Sequence, residues 1–229
     1  MTVPLSNLRF EKKFVATGCT LAEVLASVRR HPAAFWETYP ERVVNNLYLD
    51  SPARQNYHDH VNGIAHRTKT RVRWYGVNFE ATQGHTLERK LKRGMVSGKE
   101  SYKLPSLVVN EHCLRSQLGT AFDATDLPPS LRAALRHLEP ALFNRYRRRY
   151  FLSRDRNFRL TVDFSLQFAS VPAERRATVT FSLPTSALIL ELKYSSGVAE
   201  DAHVLTNVFP FRLARFSKYI AGIEHLGSG

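Results

Sequence analysis

Residues 67–77 read R-T-K-T-R-V-R-W-Y-G-V, and residues 86–93 read T-L-E-R-K-L-K-R, with a glycine-containing loop between them. Lys69, Arg71 and Arg73 fall at alternate positions in the first stretch, and Glu88, Lys90 and Lys92 do so in the second. Successive side chains of a strand point to opposite sides, so each charged set lines one face while residues such as Val72 and Leu91 line the other. Turn chemistry around Gly84 joins the two as a hairpin. An ordinary half-buried strand sends its charges to solvent, which is the bland reading for either segment alone.

The same chemistry recurs elsewhere. Arg9, Glu11 and Lys13 alternate around Phe10; Arg159 and Asp163 flank Leu160 and Val162; Glu191 and Lys193 flank Leu192. Five strands committed on both faces predict a sheet curled around a charged, water-filled interior, with apolar packing outside it. Eight strands are expected: Leu8–Ala16, Arg42–Asp50, Arg67–Val77, Thr86–Arg93, Arg145–Leu152, Phe158–Phe168, Ala177–Leu183 and Ala187–Tyr194. That number can close a small antiparallel barrel and remove its edges. The fold class is therefore α+β, an eight-stranded antiparallel barrel with flanking helices. A short helix follows strand one, announced by a capping box of Thr20 and Glu23 with Leu21, Val24, Leu25 and Val28 on one side. Between about 95 and 142 alternation stops, and helix-like stretches near Glu111–Thr120 and Pro129–His137 suggest a helical insertion within one domain spanning 1–229. A C-terminal helix is expected at about 212–224.

Composition points to an anionic partner. The 229 residues carry 33 Lys plus Arg against 20 Asp plus Glu, a formal net charge of +13, and the pI is about 10.1, which favours phosphates or nucleic acid at long range. No apolar run reaches the length that crosses a bilayer, and the N-terminus lacks the order of a secretory signal, so a soluble, cytoplasmic protein without a transmembrane segment is expected. Cys19 and Cys113 are too few for a disulfide framework or a structural zinc site. His58 and His60 have no further ligands nearby, and Trp74 and Tyr75 read as packing residues.

Cations gathered in one lumen repel, by roughly 4 kcal/mol for a pair about 4 Å apart at an effective dielectric near 20. The arrangement becomes favourable when an anion rich in oxygens enters, and arginine forks and lysine ammonium groups match phosphate. Glu11, Glu88 and Glu191 each sit two positions from a lysine on the same face. In a phosphate site a carboxylate repels the ligand unless it holds a divalent cation such as Mg2+ or Mn2+. Nucleic acid is disfavoured, because exposed cations interleaved with stacking aromatics are what such a partner needs. A metal-bound phosphate chain fits the pattern.

Read in order, Arg9–Phe14 (R-F-E-K-K-F), Arg71–Gly76 (R-V-R-W-Y-G), Leu87–Lys90 (L-E-R-K), Arg159–Asp163 (R-L-T-V-D), Leu190–Lys193 (L-E-L-K) and Phe216–Tyr219 (F-S-K-Y) resemble the polyphosphate polymerase domain of vacuolar transporter chaperone (VTC) proteins, a branch of the triphosphate tunnel metalloenzymes. The resemblance runs from about Leu8 to Ile223. It implies that Lys13, Arg71, Arg73, Lys90, Arg148, Arg159, Lys193 and Lys218 hold the phosphates and carry catalysis, with Ser217, Glu11, Lys92 and Lys69 as further substrate contacts and Glu191 and Glu88 as metal ligands. Arg148 is selected from the Arg147–Arg149 run because Tyr146–Phe151 matches the family's Y-x-R-x-x-F. The first strand departs from the wider superfamily, which offers two glutamates and a lysine at alternate positions where this chain has Arg9, Glu11 and Lys13. The implied activity is transfer of the ATP γ-phosphate to inorganic polyphosphate with Mn2+ or Mg2+. A triphosphatase acting on triphosphate in the same fold, or a non-catalytic polyphosphate-binding module, are the alternatives. A membrane-protein partner is left open.

Overall fold

In a computed structural model the described residues are 9–77, 84–93, 96–107, 114–171 and 186–227. They form one nine-stranded sheet with the hydrogen-bonded order β5-β4-β3-β2-β6-β7-β8-β1-β9, where β1 is Arg9–Ala16, β2 Trp36–Asp50, β3 His66–Tyr75, β4 Thr86–Arg93, β5 Val96–Lys103, β6 Glu139–Leu152, β7 Arg159–Ala169, β8 Leu188–Ser195 and β9 Arg212–Leu213. The order ends at β5 and β9, and no ladder joins those two among the described residues. The expected eight-stranded closed barrel is thus corrected to an open sheet of nine strands. Closure needs two outer strands that pair along their length. Here one outer strand, β9, has only two residues, Arg212 and Leu213, opposite Val15 and Phe14.

Two strands escape the alternation rule. β5 (V-S-G-K-E-S-Y-K) is polar on both faces and falls in the stretch read as helical. β9 falls where the C-terminal helix was expected to begin, and that helix, α6, starts at Lys218 and ends at Gly227. β2 begins six residues before the predicted Arg42 and runs through Pro40, a residue that lacks a donor. The strand expected at Ala177–Leu183 lies outside the described residues, as does Cys113.

The chain divides into two compact units. Unit 1 comprises residues 1–42, 146–166 and 185–217. Here β1 pairs antiparallel with β8, and β8 with β7. One side of these strands presents Phe14, Leu160, Val162, Leu190 and Leu192, which pack with Val24, Leu25 and Val28 of α1 (Leu21–Arg30) and with Ala202 of α5 (Ala199–Val208). α1 starts where predicted: the Thr20 hydroxyl accepts from the Glu23 amide, and the Glu23 carboxylate accepts from the Thr20 amide.

Unit 2 comprises residues 43–145, 167–184 and 218–229. β3 lies between β2 and β4, and β4 pairs onward with β5. The apolar side of this meander carries Val72, Trp74 and Leu87, all fully buried. They pack with Leu118, Ala121 and Phe122 of α3 (Leu114–Asp123) and Leu131 and Leu135 of α4 (Pro129–Leu135). Trp74 is a packing residue, as its sequence suggested. α2 (Gln55–Val61) begins above Asp50, whose carboxylate accepts from the backbone amides of Ser51, Asn56 and Tyr57 and from the Tyr219 hydroxyl of α6.

Candidate functional site

Each unit devotes one sheet face to charge, and the two faces differ in character. On unit 2, register sets the cations in rows. Arg71 of β3 faces Glu88 of β4, Lys69 faces Lys90, and Arg67 faces Lys92. Lys90 in turn faces Lys99 of β5, so Lys69, Lys90 and Lys99 stand in one line across three strands. Like charges directly opposite one another disfavour the pairing. Lys90 and Lys99 are exposed, and Lys69 and Lys92 half-buried.

One carboxylate relieves this face. Glu88, 6% exposed, accepts from Arg71 Nε at 2.8 Å and from Lys99 Nζ at 2.5 Å, and lies 3.5 Å from Arg73 Nη1. Burial alone would raise its pKa, but Arg71, Arg73 and Lys99 outweigh that and bring it down to about 2. Arg73 is fixed from behind: its Nε donates to Asn46 Oδ1 at 3.0 Å, and Asn46 Nδ2 donates to Asn144 Oδ1 at 3.2 Å. Arg71 Nη1 donates to the Tyr48 hydroxyl at 3.4 Å. The Tyr48 ring packs on that of Tyr219, next to buried Lys218 at the start of α6.

The unit 1 face mixes signs. Lys13 of β1 faces Glu191 of β8, which faces Thr161 of β7; Glu11 faces Lys193, which faces Arg159. Lys13 Nζ lies 2.9 Å from Glu11 Oε1 and 3.4 Å from Glu191 Oε1, and donates to the Phe216 carbonyl at 3.0 Å. Burial pulls the Lys13 pKa down, yet Glu191 and Glu11 together hold it above the usual lysine value. Glu191 Oε2 lies 3.5 Å from Lys193 Nζ and 3.7 Å from Arg148 Nη2. Arg148 is buried and forms a two-pronged bond with Asp163, Nε to Oδ1 at 2.5 Å and Nη2 to Oδ2 at 2.7 Å. Its neighbours point away: Arg147 pairs with Glu41, and Arg149 with Glu37.

The predicted residues therefore assemble as two sets. Lys13, Glu11, Glu191, Lys193 and Arg148 meet on unit 1, with Arg159 opposite Lys193 but exposed. Half-buried Ser217 follows Phe216. Arg71, Arg73 and Glu88 meet on unit 2, with Lys69, Lys90 and Lys92 in the adjoining rows. Sequence reading missed Lys99, because β5 shows no alternation, and missed Asn46, Asn144 and Tyr48, because nothing in a single sequence separates a polar strand residue that braces an arginine, directly or through a neighbour, from one that faces water.

The described residues contain no group of three or more His, Cys, Asp or Glu side chains arranged to hold a metal ion. Glu11 and Glu191 nevertheless converge on one ammonium. Mg2+ or Mn2+ bound together with a phosphate needs only one or two carboxylates, the rest of the shell being water and phosphate oxygens. The unit 1 carboxylates fit that requirement. Glu88 and Glu191 each lie within 4 Å of three cations, Arg71, Arg73 and Lys99 for the first and Lys13, Lys193 and Arg148 for the second.

The VTC domain profile matches residues 8–226. This chain belongs to the VTC domain family. The match extends over the strands that carry both charged faces, in agreement with the resemblance drawn from the motifs. No curated protein sequence gives a significant match. Among solved structures, the chain is similar to the PH1819 protein of Pyrococcus horikoshii OT3, at 13% identity and a TM-score of 0.52 over 96% of this chain and 98% of that one. It is also similar to a candidate adenylate cyclase from Vibrio parahaemolyticus, at 12% identity and a TM-score of 0.51 over 96% and 98% of the two chains. A third similar structure is HpAC1 from Hippeastrum, a candidate adenylyl cyclase with a dominant triphosphatase activity, at 12% identity and a TM-score of 0.50 over 94% and 96%. At these identities the likeness extends to the fold. Among the described residues no helix is long and apolar enough to cross a membrane.

Proposed function

We propose that this VTC domain is a metal-dependent phosphotransferase that moves the γ-phosphoryl group of ATP onto the end of an inorganic polyphosphate chain. One observation carries the reading: a face of β3, β4 and β5 carries Arg67, Lys69, Arg71, Arg73, Lys90, Lys92 and Lys99, of which Arg71, Arg73 and Lys99 contact the carboxylate of Glu88. Such a surface is completed by a polyanion, and evenly spaced cations match the repeated phosphoryl groups of a chain.

The unit 1 residues are assigned to the γ-phosphoryl group of ATP. Arg148, oriented by Asp163, and Lys13, oriented by Glu11 and Glu191, donate to phosphoryl oxygens and offset charge that builds up in the transition state. Glu191 and Glu11 would hold Mn2+ or Mg2+, which supplies further neutralisation and a template for the phosphate oxygens. Glu88 is assigned to fixing Arg71 and Arg73. Arg159 and Lys193 add charge at the more exposed end of the same face.

In the reaction an oxygen at the chain terminus forms a bond to the γ-phosphorus while the bond to the β,γ-bridging oxygen breaks. ADP leaves with that oxygen, and the chain grows by one unit. Such a transfer asks mainly for alignment and charge compensation, so no protein nucleophile is required. Water in place of the chain terminus would give triphosphate hydrolysis from the same residues.

Incubation of the purified chain with ATP and Mn2+ tests the reading. Long anionic polymer and ADP in equal phosphoryl yield are expected. Orthophosphate without polymer would replace the polymerase by a triphosphatase, and unchanged ATP would leave only a binding module.

A further inference from the structure

Thr161 sits at the centre of the mixed unit 1 face and takes no part in the assignments above. It lies on β7 directly opposite Glu191, with Lys13 opposite Glu191 on the other side. Its sequence neighbours Leu160 and Val162 are fully buried on the apolar face, so alternation turns Thr161 toward the charged one. The residue is 9% exposed, and its Oγ1 finds no hydrogen-bond partner among the described residues. The carboxylates next to it on this face are engaged: Glu191 with Lys13, Lys193 and Arg148, and Asp163 with Arg148. A buried hydroxyl without a partner costs stability, and valine would fill the same space in a strand without that cost.

We infer that Thr161 Oγ1 is a further ligand-binding group, donating a hydrogen bond to a phosphoryl oxygen of the phosphate chain that occupies this face. A hydroxyl is suited to that place. It donates to an anionic oxygen without adding a charge beside Lys13 and Arg148, and the bond is charge-assisted. The inference rests on the reading that this face binds phosphate, and it adds a neutral donor beside the cations and carboxylates assigned to phosphate and metal.

Thr161→Val and Thr161→Ser separate this role from a structural one. Inorganic tripolyphosphate is titrated calorimetrically into each protein without added divalent metal, and melting of the unliganded proteins is recorded alongside. Thr161→Val is expected to bind at least roughly tenfold more weakly, to melt unliganded at the same temperature as the parent or higher, and to recover affinity as Thr161→Ser. Undiminished affinity in Thr161→Val would overturn the inference while leaving the proposed function in place. A lower melting temperature of unliganded Thr161→Val would overturn it also, since the hydroxyl would then be satisfied without ligand. Absence of tripolyphosphate binding by the parent protein would remove the inference together with the proposed function.

Discussion

Replacing Glu88 by Gln removes one negative charge from among three cations and keeps the shape of the side chain. In the folded protein Arg71, Arg73 and Lys99 hold the carboxyl at about 2 against an ordinary value of 4.5. Each pKa unit corresponds to about 1.36 kcal/mol, so the ionised form contributes roughly 3 kcal/mol of stability near neutral pH. The sign follows from the depressed value. The contribution is complete above about pH 4.5, falls away as pH drops through the window to about 2, and is absent below it. Glu88→Gln is therefore expected to unfold roughly 6–12 °C below the parent at pH 7 and to converge with it as pH approaches 2. Tripolyphosphate should raise the melting temperature of the variant more than that of the parent, because the added anion replaces the missing one. Urea or thermal unfolding at several pH values gives the comparison. Equal stability at pH 7, or a gap of the same size at pH 2, would refute the assignment of Glu88 as the anion that holds this face together.

Other expectations concern single groups. Glu191→Gln should abolish metal-dependent consumption of ATP while tripolyphosphate binding persists, measured by ADP release and by calorimetry on the same preparation. Asp163→Asn leaves the buried Arg148 guanidinium with Glu191 at 3.7 Å as its remaining carboxylate among the described residues, and a loss of roughly 3–5 kcal/mol in denaturant unfolding is expected. His85 is buried against Trp74 with neither ring nitrogen hydrogen-bonded among the described residues, and burial pulls its pKa from 6.5 to about 4. The unfolded chain takes up that proton below about 6.5 and the folded one only near 4, so stability should decline as pH falls through this window, and His85→Phe should flatten the decline.

Much of this arrangement is legible in the chain itself. Alternation located β1, β3, β4, β7 and β8 and placed their charged residues on one face, because a period of two is unambiguous when the intervening residues are as apolar as Val72, Leu87, Leu160 and Leu192. The motif Y-x-R-x-x-F singled out Arg148, and the structure buries it while Arg147 and Arg149 pair elsewhere. Two things were not legible. β5 has polar residues on both faces, so no period marks it, and with it the Lys69–Lys90–Lys99 row was hidden. Strand count also says nothing about whether outer strands meet, and among the described residues the short β9 ends the strand order where closure was expected. The contrast between a cationic face and a mixed one depends on cross-strand register, which alternation within single strands does not specify.

The most direct test of the central claim, that these strand faces bind a chain of phosphoryl groups, is calorimetric titration of the parent protein and of an Arg71→Ala, Arg73→Ala double variant with tripolyphosphate at two salt concentrations. Saturable binding to the parent is expected, weakening as salt rises and lost in the variant. Binding that is absent from the parent, or equally strong without the two arginines, would contradict the claim.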